Sequence, residues 1–273
     1  MKRWLPSLSL HAVLLAGAAL TLFPLLWMVS VSFMPAGEAS GPEPRLWPSH
    51  FTLEHYEALF TRMNVARYAF NSALLALSVT LISLFINSMA GYAFAKFRFL
   101  GRDRLLRLLL AAMVIPAQVA MLPLFLMLKS MGFINTYAGV VIPGMASVFG
   151  IYLIRQYALA IPDSVLDAAR IDGAGEWRIY WSIVLPLVRP VLVTLAIFTF
   201  MGTWNDFMWP LIVLTDDRLH TLPVALANLA GEHVQDTELM MAGAVLTVLP
   251  VMLLFLALQR YYIQGVMMGS VKE

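Results

Sequence analysis

Of the sixteen acidic residues in this chain, only Asp206 lies inside an otherwise uncharged apolar run. Its neighbours Trp204, Asn205 and Trp209 are types that bind sugars, because ring faces stack on apolar sugar faces while amide and carboxylate groups meet hydroxyls. A carboxylate at membrane depth is costly, so it is a functional candidate by default. The competing role is helix packing, with Asp206 near the outer interface and hydrogen-bonded within the protein. Asn71, Asn87 and Gln118 sit in other apolar runs and suit hydrogen bonds between helices. Asn71 joins the 204–209 group as a pathway or packing candidate.

Catalytic chemistry finds little support. His11, His50, His55, His220 and His233 include no i, i+4 pair for zinc, and there is no cysteine. A Gly-x-x-x-x-Gly-Lys-Ser/Thr phosphate loop is absent, so this chain is not an ATPase of that kind. Gly173-Ala-Gly175 lacks the third glycine and preceding strand of a dinucleotide site, and no Gly-x-Ser-x-Gly elbow occurs. No catalytic residue, metal or cofactor is expected.

The elements that must position these residues follow from charge. Hydrophobic residues are 60% and charged residues 12% of the chain, against about 45–50% and about 25% in soluble domains. No charged side chain occurs between Arg3 and Glu38, Arg67 and Lys96, Arg107 and Lys129, Lys129 and Arg155, or Glu238 and Arg260. The gap from Arg189 to Asp216 is broken only by Asp206. Each gap can hold the roughly 20 apolar residues of a spanning helix, and backbone groups in lipid must bond within their own segment. The expectation is an all-α membrane protein, residues 1–273 forming one domain. Its six transmembrane helices cover about 10–33, 69–94, 105–128, 137–159, 191–215 and 239–260, with kinks at Pro116 and Pro123. Pro143-Gly144 and Ala146-x-x-x-Gly150 should allow close helix contact.

Met1-Lys-Arg3 opens an apolar run reaching about Phe33, too long for a signal core, with Ala16-Gly-Ala18 in its middle; the first helix is expected to stay uncleaved. With the N-terminus cytoplasmic, thirteen basic residues lie inside against five outside. That asymmetry places both termini in the cytoplasm. The small net charge of +2 gives no reason to expect nucleic acid. Outside lie the segment 34–68, with a short amphipathic helix near 53–60, and the acidic loop 216–238.

The cytoplasmic segment 160–190 is the most informative. Pro162 suits a first helical turn, and Ser164 with Asp167 resembles a capping box. Gly173 supplies either a turn or a close approach that a side chain would block. Trp177, Tyr180, Trp181 and Val184 share a helical face, and Pro186 and Pro190 set the start of the fifth span. Small residues at the bend with aromatics behind them suit a knob entering a partner's groove, or a connection lying on the membrane surface.

The run Asp167-Ala-Ala-Arg-Ile-Asp-Gly-Ala174, with Leu185-Pro186-Leu187, resembles the cytoplasmic "EAA" loop of ABC-importer permeases, with Asp167 one methylene shorter than the usual glutamate. Asn71-Ser72, Ala90-Gly-Tyr-Ala-Phe-Ala-Lys96, Trp204-Asn-Asp206 and the tail Gly265…Gly269-x-Val271-Lys272 extend the resemblance to the carbohydrate, maltose-type class. The resemblance implies a bacterial inner-membrane subunit that pairs with a second, homologous permease, two ATPase subunits and a periplasmic sugar-binding protein, in contact with membrane lipid. Asp167, Ala168, Ala169, Asp172, Gly173, Ala174, Leu185 and Pro186 would then form the ATPase-coupling element. Gly269, Val271 and Lys272 would reach between the ATPase subunits, and 216–238 would meet the binding protein. Rival readings are the same machinery moving glycerol-3-phosphate or a polyamine, and an autonomous secondary transporter. The latter lacks visible ion ligands and inverted repeats.

Overall fold

A computed structural model describes residues 5–41, 45–232 and 236–268, and among them every regular element is helical. Four runs are long and apolar enough to cross a membrane: Leu10–Val31, Val65–Lys96, Tyr137–Leu159 and Thr237–Ala257. Two bent pairs, Arg102–Ala112 with Ala117–Ser130 and Glu176–Leu187 with Arg189–Trp204, make six if each pair is one span.

The chain forms two compact units. The first joins Met1–Arg67 to Leu222–Pro250. It contains α1 (Leu5–Val31), α2 (Glu54–Thr61), α13 (Leu222–Glu232) and the first part of α14 (Thr237–Met268). Side chains of α1 such as Val13, Leu15 and Leu20 are exposed, as a lipid-facing helix requires. The irregular segment after α1 is held by polar bonds. The buried His55 imidazole donates from Nε2 to the Met34 carbonyl (2.9 Å), and the buried Glu238 carboxylate accepts from the Ala39 amide (2.7 Å).

The second unit comprises Tyr68–Thr221 and Val251–Glu273. Its elements are α3 (Val65–Lys96), α4 (Arg102–Ala112), α5 (Ala117–Ser130), α6 (Tyr137–Gly144) and α7 (Val148–Leu159). After them come α8 (Asp163–Ile171), α9 (Glu176–Ile179), a π-helical turn (Tyr180–Val184), α10 (Leu185–Leu187), α11 (Arg189–Trp204) and α12 (Met208–Val213). One apolar cluster gathers Tyr92, Ile154, Ala158, Leu166, Ile179 and Val191, tying α3, α7, α8, α9 and α11 together.

Three expectations need correction. The third span is not a kinked rod over 105–128: α4 and α5 meet at 106°. Pro116 disfavours helix at Ile115, so the chain breaks there, whereas Pro123 stays inside α5. The fifth span is interrupted too, since α11 ends at Trp204 and α12 begins at Met208. The acidic segment 216–238 is not a simple loop, because it holds a 3₁₀ turn, Asp217–Leu219, and α13.

The expected close approach beside Gly150 is present. A Cβ there would lie 2.5 Å from Asn87 Nδ2. The buried Asn87 donates to Ser83 Oγ (2.8 Å) and accepts the Ser147 amide (3.0 Å), so α3 ties off the break between α6 and α7.

Candidate functional site

Helix α8 and the turn after it carry most of the residues singled out above. Pro162, extended at ψ 133°, sits just before the helix, which starts at Asp163. Ser164 therefore lies within the first turn and makes no cap bond, so the capping box is not formed. Lys96, the last residue of α3, replaces it. Its ammonium donates to the Ile161 carbonyl and to Asp163 Oδ1 (2.7 Å). That hydrogen bond and the ammonium charge hold the Asp163 carboxyl below the usual carboxylate range.

The C-terminus of α8 explains why the sequence reads Ala-Ala-Arg-Ile-Asp-Gly-Ala. The Gly173 amide bonds to the Arg170 carbonyl (3.0 Å) and the Ala174 amide to the Ala169 carbonyl (2.9 Å). This is a Schellman cap, which needs a left-handed residue just past the helix. Gly173 supplies it at φ 79°, with nothing within 4 Å of a Cβ built there. Of the two roles expected for Gly173, the turn is the one observed.

Arg170 locks the bend. Its guanidinium donates to Asp167 Oδ1 (2.7 Å) and Glu176 Oε1 (2.8 Å), and Tyr92 of α3 donates to Glu176 Oε2 (3.2 Å). The hydrogen bond to Glu176 leads the effects that raise the Arg170 pKa above its usual value, so it stays charged. Leu166 is buried, and Ala169 and Ala174 pack half-buried on the same cluster. On the opposite side Val165, Ala168, Ile171 and Asp172 are exposed, with Ile171 at 87%. An apolar face left open on a rigidly braced helix is a docking surface in form.

The aromatics behind the bend do not share one environment. Tyr180 and Val184 are buried, while Trp177 and Trp181 are more than half exposed. Tyr180 shares a 2.6 Å hydrogen bond with Ser88 of α3. The Leu185 amide bonds to the Tyr180 carbonyl, the i→i+5 spacing of the π turn, which shifts the helical register. Leu185 is half-buried against the core cluster and Pro186 is exposed.

The 204–209 group gathers at the break between α11 and α12, but its rings face inward. Trp204 is buried and stacks on Phe200 (5.9 Å between centroids). Trp209 is buried, and its indole donates to the Gly139 carbonyl (3.1 Å). Asp206 Oδ1 accepts the Trp209 amide (3.3 Å), and the exposed Asn205 donates back to the Met201 carbonyl (2.9 Å). Asn71 is likewise committed. It donates to the Arg218 and His220 carbonyls (3.0 and 2.9 Å) and accepts from Tyr137 (2.8 Å). The tail residues Gly269, Val271 and Lys272 lie outside the described residues. Lys96, Arg170, Glu176 and Tyr92 were not among the expected site residues, although the i, i+3 spacing of Asp167 and Arg170 carried a signal.

Apolar helices long enough to span a membrane, joined by a braced polar loop, set the class to which the comparisons assign the chain. Residues 83–267 match the family of binding-protein-dependent transport system inner membrane components. The chain belongs to that family and is a multi-pass inner-membrane protein. It is 37% identical over 258 residues to the arabinooligosaccharides transport system permease protein AraQ of Halalkalibacterium halodurans, covering 93% of this chain and 92% of that one. Identity to the lactose transport system permease protein LacG of Rhizobium radiobacter is 33%, over 100% of this chain and 98% of that one. In fold it resembles a chain of a bacterial ABC transporter involved in the import of the acidic polysaccharide alginate, with TM-score 0.84, 23% identity, and coverage of 96% and 99%.

Proposed function

We propose that this chain is one of two homologous permease subunits of an ATP-driven sugar importer, docked on two ATPase subunits and served by a periplasmic sugar-binding protein. The whole chain acts as one permease domain. The observation that carries this reading is α8, whose Val165, Ala168 and Ile171 are exposed while Lys96 of α3 holds its first residue and Tyr92 of α3 holds Glu176, the partner of Arg170. A push or pull on α8 is thereby delivered to a spanning helix, the rigid-body transmission that alternating access requires. Asp167, Ala168, Asp172 and Gly173 meet the ATPase, whereas Ala169, Ala174 and Leu185 support them from the core side and Pro186 lies at the rim. By the family resemblance, Gly269, Val271 and Lys272 are proposed as further contacts of the ATPase pair. The inside excess of basic residues supports cytoplasmic termini. The sugar class is supported by relatives named for arabinooligosaccharides and lactose. The committed hydrogen bonds and buried rings of Asn71, Trp204, Asp206 and Trp209 favour packing over sugar contact.

The test is uptake by the complete transporter in vesicles, with ATP inside and binding protein outside. Oligosaccharide is expected to accumulate and glycerol-3-phosphate is not. Accumulation of glycerol-3-phosphate alone would transfer the chain to the rival solute class.

A further inference from the structure

We propose that the turn after α3 and the first half of α4 form a site for the headgroup of an anionic phospholipid. Arg98, Arg102, Arg104 and Arg107 line an open hollow of about 840 Å³ together with Phe99 and Leu100. Asp103 is the one carboxylate in that lining. It takes the Nε of Arg102 (3.0 Å), and its backbone carbonyl takes the Nε of Arg107 (3.2 Å). Arg98 and Arg104 make no side-chain hydrogen bond among the described residues. Within that lining four guanidiniums face one carboxylate, with Asp163 of α8 a second acid near Arg98, and their forked donors match phosphate oxygens.

The apolar residues around this charge choose the ligand. At 3.6 residues per turn α4 has three sides. Leu106, Leu109 and Leu110 pack on Phe94 of α3 and Ile151 of α7. Arg104 and Arg107 lie on a second side, and Leu105 and Leu108, 46% and 68% exposed, form the third. Leu100, at the tip of the turn, is fully exposed. A helix with a free apolar side flanked by arginines suits the plane of a membrane interface. The 106° angle between α4 and α5 permits α4 to lie in that plane while α5 enters the bilayer. A soluble anion would satisfy the arginines but make no use of Leu100, Leu105 and Leu108 beside them. An acidic protein surface would do the same. A phospholipid meets both needs, with phosphate in the hollow and acyl chains over the leucines.

The test reads lipid retention, not transport, so it stands apart from the assignment of solute and ATPase. The full chain, purified in detergent, is offered equal phosphatidylglycerol and phosphatidylcholine, and retained lipid is counted by native mass spectrometry. Phosphatidylglycerol should be retained about tenfold over phosphatidylcholine, and excess inorganic phosphate should not displace it. The variant R98Q/R104Q/R107Q should fall to the phosphatidylcholine level with unchanged melting. If that variant melts early, Arg104→Gln alone, at an exposed position, should still lower retention by about twofold to threefold. Equal retention of the two lipids, or no change in the variants, would overturn the proposal. So would displacement by phosphate, which would mark a soluble-anion site. Unchanged lipid with loss of a co-purifying ATPase would make the patch a protein-binding surface instead.

Discussion

Two interrupted helices in this chain carry its most distinctive residues, and they use them in opposite ways. At the break after α11, Trp204 and Trp209 turn inward and the polar groups of Asp206 and Asn205 close on their own backbone. At the bend after α8, the polar groups also close on the protein, through Lys96 and the Arg170 bridge, but apolar Val165 and Ile171 and the Gly173 turn stay open. Residue type alone left the first break open between sugar pathway and helix packing. What separates them is the leftover surface: at the first the rings are buried and Asp206 and Asn205 each spend a polar atom on nearby backbone. At the second the pairing fixes a bend whose outward side keeps Val165 and Ile171 exposed.

The widest separation between the two regions should come from their tryptophans. Trp209→Ala removes a buried ring and its hydrogen bond to Gly139. It should cost about 3–5 kcal/mol of stability, read as early melting and poor recovery of the purified chain. Trp177→Ala, at a position 59% exposed, should stay within about 0.5 kcal/mol. Equal losses would erase the contrast.

A smaller effect is expected at Asp206. Asp206→Asn keeps an acceptor for the Trp209 amide, so uptake should remain within about twofold of the parent, while Asp206→Ala loses that hydrogen bond at about 0.5–1.5 kcal/mol. If the asparagine variant assembles normally and no longer transports, Asp206 belongs to the pathway, and the first region is a site after all.

The smallest effect is the acid response of α8. Asp163 is depressed by Lys96. A carboxyl with a lowered folded pKa stabilises the fold above its unfolded value of about 3.9, and that contribution is lost as pH falls through the folded value. Because Asp163 is exposed, the change is small. Asp163→Asn should remove it, seen as a flatter loss of helical signal as pH falls below about 4. An unchanged acid profile would mean that Lys96 braces α8 through the Ile161 carbonyl alone.

Much of this was legible in the chain because lipid enforces simple rules. Gaps between charges marked the spans, and the Asp-Gly-Ala run marked the bend, since a Schellman cap needs glycine in its left-handed position. Other features were hidden for local reasons. Pro116 and Pro123 look alike in sequence, yet the chain breaks before the first and α5 runs through the second. Trp177 and Trp181 are exposed while Tyr180 and Val184 are buried, so the aromatic positions do not share the one face that spacing suggested. Lys96 and Asp163 are far apart in sequence, so no spacing rule could pair them.

The central claim, that α8 docks on the ATPase, can be tested by proximity because the chain has no cysteine. Ala168→Cys places a lone thiol on the exposed side of α8, and a thiol-reactive bifunctional reagent should link it to the co-purifying ATPase. Adding Gly173→Glu should abolish the link along with uptake. A side chain at that positive φ costs about 1–2 kcal/mol, and an uncompensated interfacial charge costs about 3–5 kcal/mol more, weakening docking by more than about a hundredfold. Membrane insertion should be unaffected. If Ala168→Cys links only to lipid or to the second permease, and Gly173→Glu transports at the parental rate, α8 is not the coupling element.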